Sequence, residues 1–118
     1  MQVKRRFRLT KSADFKRVRR YGKSYAHPLI VLIAAVNGLE YSRIAVAAGR
    51  TVGNAVKRNR AKRLLRAASQ PLIAMLHPGW DIILVARQPM ADSTFQQTSQ
   101  ALMGLLTQAN LLANTNEE

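Results

Sequence analysis

One stretch of the chain, residues 49–66, concentrates side chains that bind phosphate. It holds seven of the nineteen lysines and arginines, and no acid lies between Glu40 and Asp81. On a helix that begins near Asn54, the basic residues sweep roughly 200° and the apolar residues share an arc of roughly 100° on the other side. The apolar arc consists of Ala61, Leu64, Leu65, Ala68 and Leu72. This pattern predicts a helix with one face in the core and one cationic face.

The arrangement of charge on this helix favours an anionic partner over a solvated surface. Arg58, Lys62 and Arg66 follow one another at intervals of four residues, where like charges repel by about 0.2–0.5 kcal/mol per pair. Lys57 and Arg58 also lie in the first turn, where the helix dipole disfavours cations. A solvated helix normally interleaves acids at such positions. The pattern therefore indicates a phosphate-binding surface, for either RNA or DNA.

Composition extends this interpretation to the whole chain. The 118 residues carry a formal net charge of +13, and eighteen of the basic side chains lie in residues 1–66. We expect one domain over residues 1–118, with a basic arm at residues 1–11 and a frayed tail at residues 114–118. Cysteine is absent, and we find no apolar segment typical of a secretion signal or a membrane span. A cytoplasmic location is the resulting expectation.

Groups that could catalyse hydrolysis are scattered along the chain. A nuclease made of protein alone needs carboxylates clustered around metal ions, or a histidine-based acid–base pair. Both histidines precede a proline and have no candidate partner. The acids, which belong to different predicted elements, are Asp14, Glu40, Asp81, Asp92, Glu117 and Glu118. The sequence therefore predicts neither a catalytic residue nor a metal site in this chain.

The predicted elements follow the order α, short β, β, β, long basic α, β, α. This order is typical of a single-domain α+β sandwich with a sheet of about four strands. The predicted strands are residues 23–27, 29–36, 41–48 and 80–86. Asn37-Gly38 is a strong turn signal and predicts a hairpin that pairs the second of these strands with the third.

The helices are delimited by capping residues and prolines. Ser12 is the predicted cap of the first helix, and Asp92 or Ser93 that of the last, whose buried stripe is expected to begin at Phe95. Pro71 is expected to kink or end the basic helix. Within the first helix, Phe15 is flanked by cations. It is either a core residue or a partly exposed aromatic that stacks on an unpaired base.

Residues 53–66, GNAVKRNRAKRLLR, resemble the signature helix of the protein subunit of bacterial ribonuclease P, including the triplet Arg58-Asn59-Arg60. Further matches are Arg8-Leu9, Asp14-Phe15 followed by Val18 and Gly22, the buried strand 29–36, and the strand 80–87 followed by Pro89. The resemblance covers nearly the whole chain.

This resemblance implies an α+β sandwich with a left-handed βαβ crossover. It also implies a catalytic RNA partner that uses Mg²⁺ to cleave precursor tRNA at the mature 5′ end. The protein would bind that RNA and the single-stranded 5′ leader, tightening substrate binding and lowering the Mg²⁺ requirement. The resemblance implies no membrane partner, no small-molecule cofactor and no metal held tightly by the protein alone.

The resemblance also assigns roles to residues. The residues implied to contact RNA are Arg50, Asn54, Lys57, Arg58, Asn59, Arg60, Lys62, Arg63 and Arg66. Phe15, Arg19 and Lys23 are implied to line the leader cleft. Some family members carry aromatics where this chain has Arg19 and Ile33, so leader contacts here are expected to depend more on charge and less on stacking.

Other classes of protein fit the sequence less well. The main alternative is a general single-strand or ribosomal RNA-binding module without an enzymatic partner. A protein-only nuclease is disfavoured by the scattered carboxylates. A helix-turn-helix DNA-binding protein is disfavoured because strands, not a partner helix, flank the basic helix.

Overall fold

The computed structural model describes residues 5–113, and in it the helices and strands follow the predicted order. They are α1 (Ser12–Tyr21), β1 (Lys23–Ala26), β2 (Ile30–Val36), β3 (Arg43–Ala48), α2 (Ala55–Ser69), β4 (Trp80–Ala86) and α3 (Phe95–Gln108). Short 3₁₀ turns cover Arg5–Phe7, Arg50–Val52, Gln70–Met75 and Gln88–Asp92. The predicted frayed tail, residues 114–118, and the tip of the basic arm lie outside the described residues.

The strands form one mixed sheet in the spatial order β1-β2-β4-β3. β1 and β4 both pair with β2 in antiparallel fashion, whereas β3 pairs with β4 in parallel. Consequently β3, α2 and β4 form a βαβ unit, and the basic helix is its crossover. The α+β class and the four strands are as predicted.

The predicted hairpin between β2 and β3 is wrong, because β4 lies between these strands. Asn37 explains the path of the chain. Its N–H donates to the carbonyl of Gly79 at 2.8 Å, and its Nδ2 donates to the carbonyl of Tyr41 at 3.1 Å and to Asp81 Oδ1 at 2.9 Å. The turn therefore crosses the start of β4 instead of folding β3 back onto β2. A local turn signal carries no information about an inserted strand.

The sheet has an apolar core on each face. Alternate residues of β2 point to opposite sides, so Ile30 and Leu32 face α2 and α3, while Ile33 and Ala35 face α1. β2 is thus buried on both faces, as its continuous apolar sequence predicts. The smaller core under α1, which we call the α1-face cluster, consists of Leu9, Val18, Ile33, Ala35, Ala45 and Ile83.

Helix α2 begins and ends where its sequence predicts. Asn54 is its N-cap, and the side-chain oxygen accepts a hydrogen bond from the Lys57 N–H at 3.0 Å. The helix ends at Ser69, two residues before Pro71, which cannot donate a helical hydrogen bond. The predicted apolar stripe is buried at Ala61, Leu65, Ala68 and Leu72, and half-buried at Leu64.

The caps of the other two helices differ from the predictions. α1 includes Ser12, and its N-cap is Lys11, which forms no side-chain cap. The N-cap of α3 is Thr94, whose hydroxyl and the Gln97 side chain form a reciprocal capping box. This shifts the start of α3, so Phe95 is its first residue and is 51% exposed, contrary to the predicted core position.

The chain leaves α1 through a close backbone contact at Gly22. A Cβ added there would lie 2.4 Å from the carbonyl oxygen of Val18 and 2.9 Å from a methyl carbon of Ile33. Only glycine fits so near the sheet. This contact sets α1 directly against β2 and so positions the helix over one face of the sheet.

Candidate nucleic-acid interface

The cationic face of α2 is exposed along its whole length. Among the residues predicted to contact RNA, Arg58 and Lys62 are half-buried and the others are exposed. The exposed members are Arg50, Asn54, Lys57, Asn59, Arg60, Arg63 and Arg66. Because the opposite face is packed into the core, the cationic face is held rigidly on the sheet. The structure thus brings all nine residues to one side of the molecule.

The loop before α2 directs the chain into this face. Gly53 has a φ of +138°, a conformation that residues with a side chain rarely adopt. The Arg58 guanidinium donates to the Gly53 carbonyl at 3.1 Å and so fixes the loop to the first turn of the helix. Arg50, in the preceding 3₁₀ turn, therefore lies beside the positive end of the α2 dipole. The start of α2 combines backbone dipole and side-chain charge, which favours a phosphate.

No carboxylate neutralises the cations of α2 within residues 5–113. Every ion pair closer than 4.0 Å in that range involves Arg17 or Arg43. The basic helix is therefore neither interleaved with acids of its own nor covered by acids from other elements. Its repulsive charge arrangement is left for an external anion to compensate.

Arg60 has a structural role that the sequence did not reveal. Its Nε donates to the carbonyl of Ala91 at 2.7 Å, and its Nη2 donates to that of Ser93 at 3.1 Å. These bonds tie α2 to the segment that precedes α3. In the described chain, by contrast, the guanidiniums of Arg63 and Arg66 make no hydrogen bond to protein. Arg60 therefore combines a fixed orientation with exposure, whereas the other two are available entirely to a ligand.

The α1 face carries a partly open apolar cleft. Phe15 is half-buried and packs against the α1-face cluster. Val31 and Val85, which are direct neighbours on β2 and β4, are also only half-buried. α1 therefore covers part of this face and leaves an apolar strip beside it. Phe15 anchors α1 and stays partly exposed, so its burial is compatible with both sequence-based interpretations.

Of the three residues predicted for the cleft, the structure brings two together. Arg19 is exposed and follows Phe15 by about one turn of α1. Lys23 is paired with Ala34 in the β1–β2 register and therefore points to the α2 side of the sheet, where its Nζ lies 5.7 Å from the Tyr25 ring centroid. Lys23 therefore lies on the other side of the sheet from Phe15. A four-residue edge strand in which three residues are exposed gave no signal of its register.

An ionic network beneath α1 was also missed by sequence reasoning. Asp81 is fully buried and accepts hydrogen bonds from Arg43 Nε at 2.8 Å, Arg43 Nη2 at 2.7 Å and Asn37 Nδ2 at 2.9 Å. Arg17 donates to the same carboxylate. Asp14 lies 3.6 Å from Arg17 and 3.5 Å from Arg43. The network joins α1, β3 and β4 and fixes the helix over the sheet.

The network also sets the charge states of its members. Burial raises the pKa of Asp81, but hydrogen bonds from Arg43 and Asn37, together with the Arg43 charge, outweigh burial, so the pKa lies below its ordinary value. The hydrogen bond to Asp81 raises the pKa of Arg43. The sequence contained a signal for this pair, because Arg43 and Asp81 are each the only charged residue within a predicted buried strand. Two lone opposite charges in buried strands indicate a pair.

Within residues 5–113, no group of three or more histidine, aspartate or glutamate side chains is arranged to hold a metal ion. Over the same range, no helix is long and apolar enough to cross a membrane.

An α+β domain whose sheet carries a rigid cationic helix on one face and an aromatic cleft on the other has the surfaces of a nucleic-acid-binding domain. The family model described as Ribonuclease P matches residues 3–110. The chain belongs to the family of ribonuclease P protein components.

Individual relatives and solved structures agree with this assignment. A ribonuclease P protein component from Herpetosiphon aurantiacus is 37% identical over 109 residues, covering 92% of this chain and 89% of its own length. The component from Dehalococcoides mccartyi is 35% identical over 116 residues, covering 98% and 95%. The RNase P protein of Staphylococcus aureus superposes with a TM-score of 0.81 at 31% identity, covering 91% of this chain and 98% of that one. That of Thermotoga maritima gives 0.76 at 28% identity, covering 86% and 96%.

Proposed function

We propose that the cationic face of α2 binds the catalytic RNA of ribonuclease P, and that the cleft on the α1 face binds the single-stranded 5′ leader of precursor tRNA. As a member of its family, the chain is the RNA-binding protein subunit of a holoenzyme that processes tRNA 5′ ends. The observation that carries the assignment of α2 is its exposed row of cations, which no carboxylate of residues 5–113 neutralises.

The α2 face suits a folded RNA. Its cations are spread over about three turns of a helix that cannot rotate, because the buried stripe locks it to the sheet. A rigid surface of this kind matches phosphates whose positions are also fixed. Asn59 lies in the middle of the face, where its uncharged amide both donates and accepts hydrogen bonds. We assign it to a specific hydrogen bond, because asparagine has poor helix propensity and gives this position no advantage in stability.

The cleft on the α1 face suits a single strand. Unpaired bases expose flat apolar faces, which stack on aromatic rings with about 1–3 kcal/mol per base. Phe15 and the strip formed by Val31 and Val85 supply apolar surface, and Arg19 supplies charge for the backbone. Since the cleft and the α2 face lie on opposite sides of the sheet, one protein can hold the catalytic RNA and the leader at once.

The chemistry of cleavage belongs to the RNA in this proposal. Mg²⁺ held by the RNA component would supply that chemistry, by activating a water and stabilising the leaving oxygen. The buried Asp81 and the half-buried Asp14 fit no such role, because both are committed to Arg17 and Arg43. The protein instead neutralises phosphates of two RNAs that repel each other. That neutralisation tightens substrate binding and lowers the Mg²⁺ concentration that the complex needs.

Reconstitution tests the proposal directly. The protein is combined with a bacterial ribonuclease P RNA at a Mg²⁺ concentration at which the RNA alone is nearly inactive, and removal of the leader is followed. We expect strong stimulation that declines with salt. If six to ten phosphates are contacted, affinity for the RNA falls by about 10³–10⁵ between 50 and 200 mM salt. Cleavage no faster than with RNA alone contradicts the proposal.

A further inference from the structure

Arg6, Phe7 and Tyr41 form a stack at the outer edge of β3, outside both surfaces described above. The central guanidinium carbon of Arg6 lies 4.5 Å from the Tyr41 ring centroid and 5.0 Å from that of Phe7. The two rings meet edge to face, with their centroids 5.8 Å apart and their planes at 77°. Both guanidinium distances fall within the cation–π range of about 6 Å. One guanidinium is thus held by two rings.

The backbone positions this stack in advance. Leu9 is 3% exposed, and its N–H donates to the Ile44 carbonyl at 3.0 Å, so the arm lies along the free edge of β3. Tyr41 is held two residues before β3, next to Ser42, whose hydroxyl donates to the His77 carbonyl at 2.6 Å. Both partners of Arg6 are therefore fixed by contacts other than the stack itself. A ligand would meet a preformed surface.

The exposed side of the stack has the chemistry of a base-binding site. Arg6 remains exposed although its guanidinium covers two rings. In the part of the chain that the structure describes, no carboxylate lies within 4.0 Å of it. An immobilised guanidinium plane stacks on the face of an unpaired base, and its charge attracts the adjoining phosphate. Since a duplex hides the faces of its bases, the ligand must be single-stranded.

We propose that the Arg6–Phe7–Tyr41 stack binds a nucleobase of single-stranded RNA and extends the path of the strand held at the α1 face, an inference that rests on the proposed function. Leu9 connects the two places. It belongs to the α1-face cluster, against which Phe15 packs, and it lies three positions after Arg6 in the chain. Three residues span at most about 10 Å, so one short strand can reach from the cleft to the stack.

The test measures binding of the full-length protein to a labelled single-stranded RNA, and to the same RNA with one abasic nucleotide at each position in turn. Arg6→Lys keeps the charge but removes the plane. We expect it to weaken binding of the intact strand by at least about fivefold. In the native protein, one abasic position of the RNA should weaken binding by a similar factor. In the Arg6→Lys variant, the same abasic position should cause no further loss of affinity.

Arg20→Lys is the matched control, because the Arg20 guanidinium lies over a single ring, that of Tyr21, at 5.4 Å. It should bind like the native protein.

Two results overturn the inference. In the first, Arg6→Lys binds the intact strand as well as the native protein does, and only its thermal unfolding midpoint falls, so that the stack merely anchors the arm. In the second, Arg6→Lys loses affinity equally for the intact and all abasic strands, so that no base is stacked there. A different experiment would contradict the proposed function itself. In the reconstitution, the native protein would then fail to stimulate leader removal at low Mg²⁺.

Discussion

Arg43 and Asp81 face each other across the parallel pair β3–β4 and form two hydrogen bonds, 2.8 and 2.7 Å long. The carboxylate is fully buried, and all four ion pairs among residues 5–113 contain one of these two residues or Arg17. The buried Asp81 is therefore paired with two arginines beneath α1, and no carboxylate of residues 5–113 compensates the cations of α2. One charge pair thus distinguishes the arginines that hold α1 on the sheet from the arginines of α2 that we propose bind RNA.

Asp81→Asn should lower the free energy of unfolding by about 3 kcal/mol, because it removes the buried counter-charge of Arg43 and Arg17 and leaves them only the half-buried Asp14. Urea unfolding followed by circular dichroism measures the change. Asp92→Asn makes the same chemical substitution at an exposed position and should be nearly neutral. Equal stabilities of the two variants would show that the network does not hold α1 in place.

The same pair predicts a pH dependence. Because the pKa of Asp81 is lowered in the folded state, the unfolded chain takes up the proton first as the pH falls. The stabilisation is fully present above the unfolded pKa of about 3.9 and is lost as the pH drops through the lower, folded value. Unfolding free energies measured between pH 6 and pH 2.5 should therefore fall steeply below about pH 4. Asp81→Asn should flatten that slope, and an unchanged slope contradicts the assignment.

Arg63→Ala should weaken binding to the ribonuclease P RNA without destabilising the protein, because this exposed guanidinium makes no hydrogen bond to protein within the described chain. If the residue contacts one phosphate, the slope of log affinity against log salt should become shallower by about 1. Arg87→Ala is the matched control, since Arg87 is the one arginine outside the basic half of the sequence. Equal losses in both variants would mean that α2 is not the main contact.

Arg60→Ala should differ from Arg63→Ala in kind. Its hydrogen bonds to the carbonyls of Ala91 and Ser93 are each worth about 1.5–3 kcal/mol for a charged donor, so their loss should lower the unfolding free energy as well as RNA affinity. Parallel measurements of unfolding and RNA binding on both variants separate the two effects. A fully stable Arg60→Ala variant contradicts the structural role.

Helix α2 could be predicted from sequence almost residue by residue, because its signals are local. Asn54, Pro71 and the spacing of the apolar stripe each act within a few positions, and no distant partner is needed to interpret them. The cationic face follows from the same helical period. The residues predicted to contact RNA therefore share one surface.

The sheet could not be predicted as well, because strand order and register depend on residues far apart in the chain. Asn37-Gly38 signals a turn but not which strand follows it in space, and β4, some forty residues later, occupies the predicted place of β3. The side of the sheet on which Lys23 lies could not be predicted for the same reason. Its strand is short and borders solvent, so no hydrophobic pattern set the register.

Phe15→Leu should distinguish the contribution of the leader to substrate binding from that of the rest of the tRNA. Leucine keeps the apolar contact with the α1-face cluster but removes the ring on which a base would stack. The reconstituted holoenzyme should therefore bind precursor tRNA at least about fivefold more weakly, while binding of mature tRNA, which has no leader, stays unchanged. Phe95→Leu makes the same substitution at an exposed ring on α3 and should change neither. Equal weakening for precursor and mature tRNA would assign Phe15 to the core alone, and the leader site would then have to lie elsewhere on the protein.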